Sequence, residues 1–398
     1  MKTSVCYITP EYPPFTGGIA TVSEAFVNLL AENKFFVTLI TVNAAEKITR
    51  GNVNHVDIRS GNTPLEKFLF KFADRIKITG LLTWLVIITK TLFAFIALHR
   101  KNKFSVVVNH DFYASAILVN LLKKALKKIS GFTFITRISA PLNILSSQYF
   151  LIPTLEKKFM GKAEFMNIKH ADYVSYASER MLELIEKKTG KFKGKKIKLI
   201  PPLPRIKLIN KRKSNVCICT GRIQDGKGVE DLIHAWSLLK QEIRKNTVLK
   251  LIGSDMSFRN GSSLKAHLVD EYLHNDPAAF NVEFQGSLDR DEVAAELAAA
   301  KFLIAPSRLE NYPNTVAEAM QYGLFIVGTE KTGVADIIND YQYKPAVLFP
   351  AGNYQQLAKV LSDILKKEVL PKAELNDLRT RSQEFNRKTV EFLRKLSR

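Results

Sequence analysis

Runs of Val, Ile, Leu and Phe without polar alternation recur along the chain, with stretches of helical spacing between them. The first half has such runs at 4–9, 36–41, 105–110, 132–137 and 173–177. The second half has them at 216–221, 247–253, 282–286, 302–307 and 324–329. Strands apolar on both faces are buried on both faces, which is the pattern of a parallel sheet covered by helices. The intervening helical patterns include "IATVSEAFVNLLAEN", "GVEDLIHAWSLLKQE" and "DEVAAELAAA". This alternation predicts an α/β chain of doubly wound Rossmann-like domains, with ligands at the carboxyl ends of the strands.

The chain has 398 residues, which suits two domains better than one core. The proline cluster "IPPLPR" at 200–205 marks the boundary. We therefore read an N-terminal domain over 1–200, a C-terminal domain over 201–375, and a last helix over 376–398 that returns toward the first domain, with a cleft between the domains. Three cysteines form no disulfide framework and fit a reducing compartment. Cys217 and Cys219 alternate along an apolar strand as core residues.

Charge changes this picture. The formal net charge is +21. Residues 1–200 hold 30 Lys and Arg against 14 Asp and Glu, or +16; the remainder hold 29 against 24, or +5. Basic runs stand at 123–128 and 187–198. A basic first half suits an anionic membrane surface or an anionic lipid-linked substrate. The runs lack interleaved aromatics and no nucleic-acid-binding module is visible, so nucleic acid is not the expected partner. The segment 78–100 is apolar for about the length of a membrane span, yet Lys90 sits in its middle and a β-rich run follows directly. It reads as a helix feeding a buried strand, with an interfacial helix as the alternative. The first residues read as strand and loop, with no signal peptide, so a cytoplasmic enzyme is expected.

Three stretches carry candidate chemistry, each after a strand end. In "TPEYPPFTGG" the pair Gly17-Gly18 precedes a helix and lets backbone N–H groups approach a phosphate. In "TGRIQDGKG" Arg222 and Lys227 flank a helix start, where two cations neutralise a diphosphate. In "SRLENYPNTVAEAMQYG" Pro313 forbids helix before it, so a helix begins near Asn314 or Thr315, both able to cap it, and stops at Gly323. Glu310 then lies on a loop and Glu318 on the helix. Between them are the free N–H groups of a helix N-terminus, a seat for an anion. Acids are also favoured at any helix start, and this stretch alone leaves both readings open.

Together, "GRIQDGKG" and "PSRLENYPNTVAEAMQYG" resemble the signature of the retaining glycosyltransferases of sequence family 4, which have the GT-B fold. "PPFTGG" resembles their N-terminal glycine loop, and "HADYVSYAS" and "IKLIPPLP" resemble further family segments. The resemblance spans nearly the whole chain. It implies a metal-independent enzyme without a cofactor that moves a sugar from a nucleotide-diphosphate donor to a saccharide or lipid-linked acceptor, in the assembly of bacterial surface polysaccharide. It implies that Arg222 and Lys227 hold the diphosphate and that Glu310 meets the transferred sugar, with backbone N–H groups of Asn311, Tyr312, Pro313-flanked Asn314 and Thr315 nearby. Glu318 would bind ribose, and Gly17 and Gly18 would face the phosphates from the other domain. Many relatives have a histidine at the end of a first-domain strand. Here Arg137, Ile138 and Ser139 stand there, and His110 lies one strand earlier. His110, Asp111, Arg137 and Ser139 are the acceptor-side candidates. A nucleotide-sugar 2-epimerase is the competing enzyme reading; the sequence carries no signal for oligomeric state.

Overall fold

The computed structural model describes residues 3–13, 17–42, 51–75, 77–125, 131–148, 155–207, 209–256, 261–367 and 370–397. Pro14 to Thr16 of the first glycine loop and 126–128 of the first basic run lie outside them. The chain forms two parallel sheets. The first contains β1 (Ser4–Ile8), β2 (Phe36–Val42), β3 (Val53–Ile58), β4 (Val106–His110), β5 (Thr133–Arg137), β6 (Tyr173–Tyr176) and β7 (Lys195–Lys198), in the order β3-β2-β1-β4-β5-β6-β7. The second contains β8 (Ser214–Thr220), β9 (Val248–Ile252), β10 (Val282–Gly286), β11 (Ala300–Ala305), β12 (Phe325–Thr329) and β13 (Ala346–Phe349), in the order β10-β9-β8-β11-β12-β13.

Every central run in the sequence becomes a central strand. Val5, Tyr7, Val106, Val108 and Ile135 pack on one side of the first sheet, while Cys6, Ile8, Val107 and Phe134 pack on the other. Cys217 and Cys219 lie in the core of the second domain beside the fully buried Trp236. The apolar pattern misses β3, β7 and β13. All three are sheet edges; an edge strand with one covered flank tolerates His55, Asp57 or the four-residue "KKIK", whereas β13 is apolar but only four residues long.

The strand order reverses between β1 and β4 in one sheet and between β8 and β11 in the other. The loops at these two switch points are those with candidate chemistry. The chain crosses between domains after β7 and before β8, through the proline cluster. It crosses back in the last helix, Leu375–Leu396. Leu378 joins the second-domain core, whereas Val390 and Leu393 join Tyr7 and Phe26 in the first. Phe392 meets the Tyr173 ring edge-on at 5.2 Å, and Arg394 donates to the Asn33 carbonyl at 3.2 Å.

The 78–100 segment lies in the helix Thr79–Asn102. It turns Trp84, Ile87, Ile88, Thr91 and Phe95 into the domain and delivers the chain to β4. Lys90 bonds the Arg59 carbonyl at 2.7 Å and pairs with Glu66 at 2.6 Å.

Leu393 is fully buried in the last turn of a strap that ends on the first domain. Truncating Leu393→Ala leaves a cavity between that strap and the first sheet. We expect a loss of about 2–5 kcal/mol in urea unfolding.

Candidate functional site

The loop after β11 is shaped by contacts on both sides. Arg308 clamps Asp231 with two bonds, at 2.8 and 2.7 Å, and its N–H donates to the Gly226 carbonyl at 3.0 Å. This ties the β11 loop to the turn after β8. Gly228 sits at φ 67°, and a Cβ there would stand 2.0 Å from the Pro306 carbonyl oxygen. Behind the loop, Gly333 donates to the Glu310 carbonyl at 3.0 Å. A Cβ on Gly333 would overlap the Asn311 carbonyl oxygen. Two glycines thus let three segments close on one another.

Pro313 is the N-cap of the helix Asn314–Gln321, in extended conformation and with no side-chain cap. Asn314, expected as a cap, does something else: its amide donates to the Gly18 carbonyl of the first domain at 3.0 Å. The helix N-terminus is therefore left open toward the cleft. Arg222, Lys227, Ser307, Glu310, Pro313 and Thr315 line a pocket there. Lys227 and Glu310 form an ion pair inside it, and Ser307 donates to the same Glu310 oxygen at 3.2 Å. Burial raises the Glu11 carboxyl, and the exposed Arg222 across the cleft offsets part of that rise.

The remaining donor-side candidates take different stations. Glu318 lies one turn into the helix, and burial raises its carboxyl to about 7 while Arg290 pulls it down. Arg290 in turn reaches Thr21 at 3.2 Å and Glu24 at 3.4 Å on the helix Gly18–Glu32. That helix also begins without a side-chain cap, after Gly17. A Cβ on Gly17 would press on the Glu11 carboxylate at 3.0 Å. Asn311 donates to the Ile138 carbonyl across the cleft at 3.1 Å. Tyr312 turns its side chain inward to Asp340 at 3.3 Å, so only its backbone faces the loop.

The four acceptor-side candidates come together as a buried brace under the cleft. His110 is almost wholly buried. Its Nε2 meets Tyr7 at 2.8 Å and Ser23 at 3.2 Å, and its Nδ1 meets Ser139 at 2.9 Å. Burial, then the Arg137 charge, pushes its pKa down to about 3. A neutral ring with both nitrogens engaged is a packed histidine. Asp111 accepts from the backbone N–H of Phe112 and of Ser139, both at 2.8 Å, and burial raises it to about 7. Arg137 lies buried with its guanidinium 4.6 Å from the Phe26 ring centre.

Sequence reasoning missed several residues that hold the site. Glu11, Ser307, Arg308 and Asp231 carry no spacing signal of their own; only the fold brings Asp231 to Arg308. Glu164 is also unforeseen: fully buried, it accepts from Tyr113 at 3.0 Å and Leu142 at 2.7 Å. It fixes a turn after β4 in which Tyr113 and Ala114 are both left-handed, at φ 61° and 43°. Among the described residues no three His, Cys, Asp or Glu side chains group as a metal site. The triplet Asp289-Arg290-Asp291 is a helix start: Asp289 caps Glu292 in a capping box, and Asp291 pairs with Lys207 at 3.4 Å.

Two facing Rossmann-like domains with these loops in the cleft define the architecture of GT-B glycosyltransferases. Residues 204–388 match the family described as glycosyl transferases group 1. An uncharacterized glycosyltransferase of Methanocaldococcus jannaschii is 22% identical over 344 residues, covering 83% of this chain and 81% of that one. Among solved structures, sucrose-phosphate synthase from Thermosynechococcus elongatus superposes with a TM-score of 0.68 at 17% identity, covering 99% of each chain. WaaG, a glycosyltransferase involved in lipopolysaccharide biosynthesis, superposes with a TM-score of 0.60 at 17% identity, covering 97% of this chain and 95% of that one.

Glu318 yields a pH signature. Because its folded pKa is raised, ionising it opposes folding: the cost is absent below the unfolded value of 4.5 and full above about 7. Glu318→Gln should match wild type in acid and gain stability as pH rises through this window, by on the order of 2 kcal/mol at the top. Urea midpoints measured across pH test this; a constant offset between the two proteins would contradict it.

Proposed function

We propose that this protein is a retaining, metal-independent hexosyltransferase that moves a sugar from a nucleotide-diphosphate donor to a saccharide or lipid-linked saccharide. The observation that carries the reading is the uncapped N-terminus of the Asn314–Gln321 helix, facing Arg222 and Lys227, with Glu310 on one side and Glu318 on the other. The diphosphate seats at the helix N-terminus between the two cations. The sugar reaches Glu310 and the ribose reaches Glu318.

In the ligand-free protein Lys227 and Glu310 satisfy each other. Donor entry separates them: Lys227 turns to the diphosphate and Glu310 to sugar hydroxyls. As the bond from the anomeric carbon to the phosphate oxygen breaks, its electron pair goes to the phosphate. Fixed cations and a helix dipole stabilise that charge without solvent reorganisation. The acceptor oxygen bonds to the anomeric carbon on the face just vacated. Its proton passes to the departing phosphate oxygen, because His110 has neither a free nitrogen nor a suitable pKa. No cofactor takes part.

The pathway part of the reading is the assembly of bacterial surface polysaccharide, with the enzyme in the cytoplasm and peripheral to the inner face of the membrane. It is supported by the +16 charge of residues 1–200 and by the likeness of fold to WaaG.

The test is thermal unfolding with UDP, GDP, ADP and CDP, without metal. At a hundredfold excess over Kd the native state gains about 2.7 kcal/mol, a shift of several degrees. One diphosphate should raise the midpoint. Glu318→Ala should blunt that rise, and the Arg222→Ala, Lys227→Ala double variant should abolish it, since charged hydrogen bonds are worth about 1.5–3 kcal/mol each. If no diphosphate shifts the wild type, the donor-site reading is wrong.

A further inference from the structure

The Pro64–Arg75 helix is built inside out. Its N-terminus is fixed by a Thr63–Glu66 capping pair: Glu66 accepts from the N–H of Asn62 at 3.0 Å and of Thr63 at 3.2 Å, and its own N–H donates to the Thr63 hydroxyl at 3.2 Å. The other Glu66 oxygen meets Lys90 of the Thr79–Asn102 helix at 2.6 Å. These bonds turn the helix so that its first-turn acid lies within the protein. The side chains left outside include large apolar ones beside Lys67, Lys71 and Asp74: Leu65 is 67% exposed, Phe68 68%, and Leu69 is exposed too. An ordinary surface helix does the opposite.

The outer surface continues onto the neighbouring helix. Thr79–Asn102 is long and apolar enough to cross a membrane. It nonetheless gives one side to the domain core. Its other side shows Leu85 and, one turn beyond Lys90, Phe93 at 65% exposure. The Lys90–Glu66 pair holds the two helices together, with exposed apolar side chains on each. Exposed Lys67 and Lys71 flank Phe68, and Lys77 follows in the connecting turn.

We infer that the outer faces of the Pro64–Arg75 and Thr79–Asn102 helices form a docking face for an anionic lipid bilayer, with Leu65, Phe68 and Phe93 entering the interface and Lys67 and Lys71 meeting the headgroups. A large exposed apolar patch calls for an occupant. Interleaved lysines and aromatics match an interfacial helix on anionic lipid. A second copy of the chain fits poorly: a two-fold contact here sets lysines against lysines on domains that each carry +16. The face lies on the membrane and does not span it, because Lys90 and five core residues of the long helix are committed to the protein.

This inference specifies the peripheral-membrane part of the proposed function and is independent of the donor site. The test is flotation with vesicles of phosphatidylglycerol in phosphatidylcholine and with pure phosphatidylcholine, at physiological salt. The wild type should float with the anionic vesicles. Leu65→Gln, Phe68→Gln, Phe93→Gln together should weaken this tenfold or more. Lys67→Glu, Lys71→Glu should weaken it by about tenfold or more, on anionic vesicles alone. The nucleoside-diphosphate thermal shift should survive in both, which shows that they fold. A Phe68→Trp variant, whose fold the same shift checks, should show quenching by brominated lipid. If the triple variant floats like wild type, the docking face is wrong and the membrane reading stands. If the wild type ignores anionic vesicles, both fall while the glycosyltransfer reading remains. A wild-type dimer in sedimentation equilibrium that the triple variant dissolves, without vesicle binding, would reassign the face to a second copy.

Discussion

The start of the Asn314–Gln321 helix governs the site. Proline at the N-cap position fixes where the helix begins and supplies no side-chain acceptor for its first N–H groups. Those groups point into the cleft, and the surrounding structure keeps them there. Arg308 and Asp231 lock the loop that leads to Pro313. Gly228 and Gly333 remove the side chains that would hold neighbouring segments away. Lys227 balances the Glu310 carboxylate in a half-buried pocket where an unpaired charge would be costly. The positive end of a helix thus stays open at low cost to the fold.

The same helix also sets the relation of the two domains. Asn314 bonds Gly18, and Asn311, three residues earlier, bonds Ile138. Arg290 reaches Thr21 and Glu24, and Lys198 reaches Asp340 at 2.7 Å. These contacts are polar, and Leu309 of the second domain adds an apolar one by packing with Ile138 and Ile144 of the first. The Leu375–Leu396 helix differs. It spans both domains with apolar side chains at each end and keeps them joined when the polar contacts part.

The two-sheet fold was legible because central parallel strands must be apolar on both faces, and "SVCYIT" or "VCICTG" has no other reading. Edge strands escape that rule, so "VNHVDI" and "KKIK" left no trace. In the site, Pro313 predicted the helix start because its effect is local. The role of Asn314 was not legible: a good capping residue next to a proline has a local use, and its partner lies almost 300 residues away. His110 illustrates the same limit. Its position at a strand end was visible, but its engagement by Tyr7, Ser23 and Ser139 depends on two other strands and a helix. Glu164 was invisible because an acid among the lysines of the Leu155–His170 helix reads as surface.

That buried acid shows how the first domain distributes its costs. Burial, with Asp111 nearby, holds the Glu164 carboxyl well above its ordinary range. One Asp111 oxygen and one Arg137 nitrogen are buried without a hydrogen-bond partner among the described residues. Tyr113 and Ala114, neither of them glycine, occupy left-handed backbone between them in the chain. Each such feature costs on the order of 1–3 kcal/mol. These four stand at or just beyond the carboxyl ends of β4 and β5, opposite the open helix of the second domain, and that end of the sheet is fixed by what lies beneath it. The loop after β4 is accordingly held from below, by Glu164 and by Trp84 donating to the Tyr113 carbonyl at 2.7 Å, and its upper surface is left to the cleft.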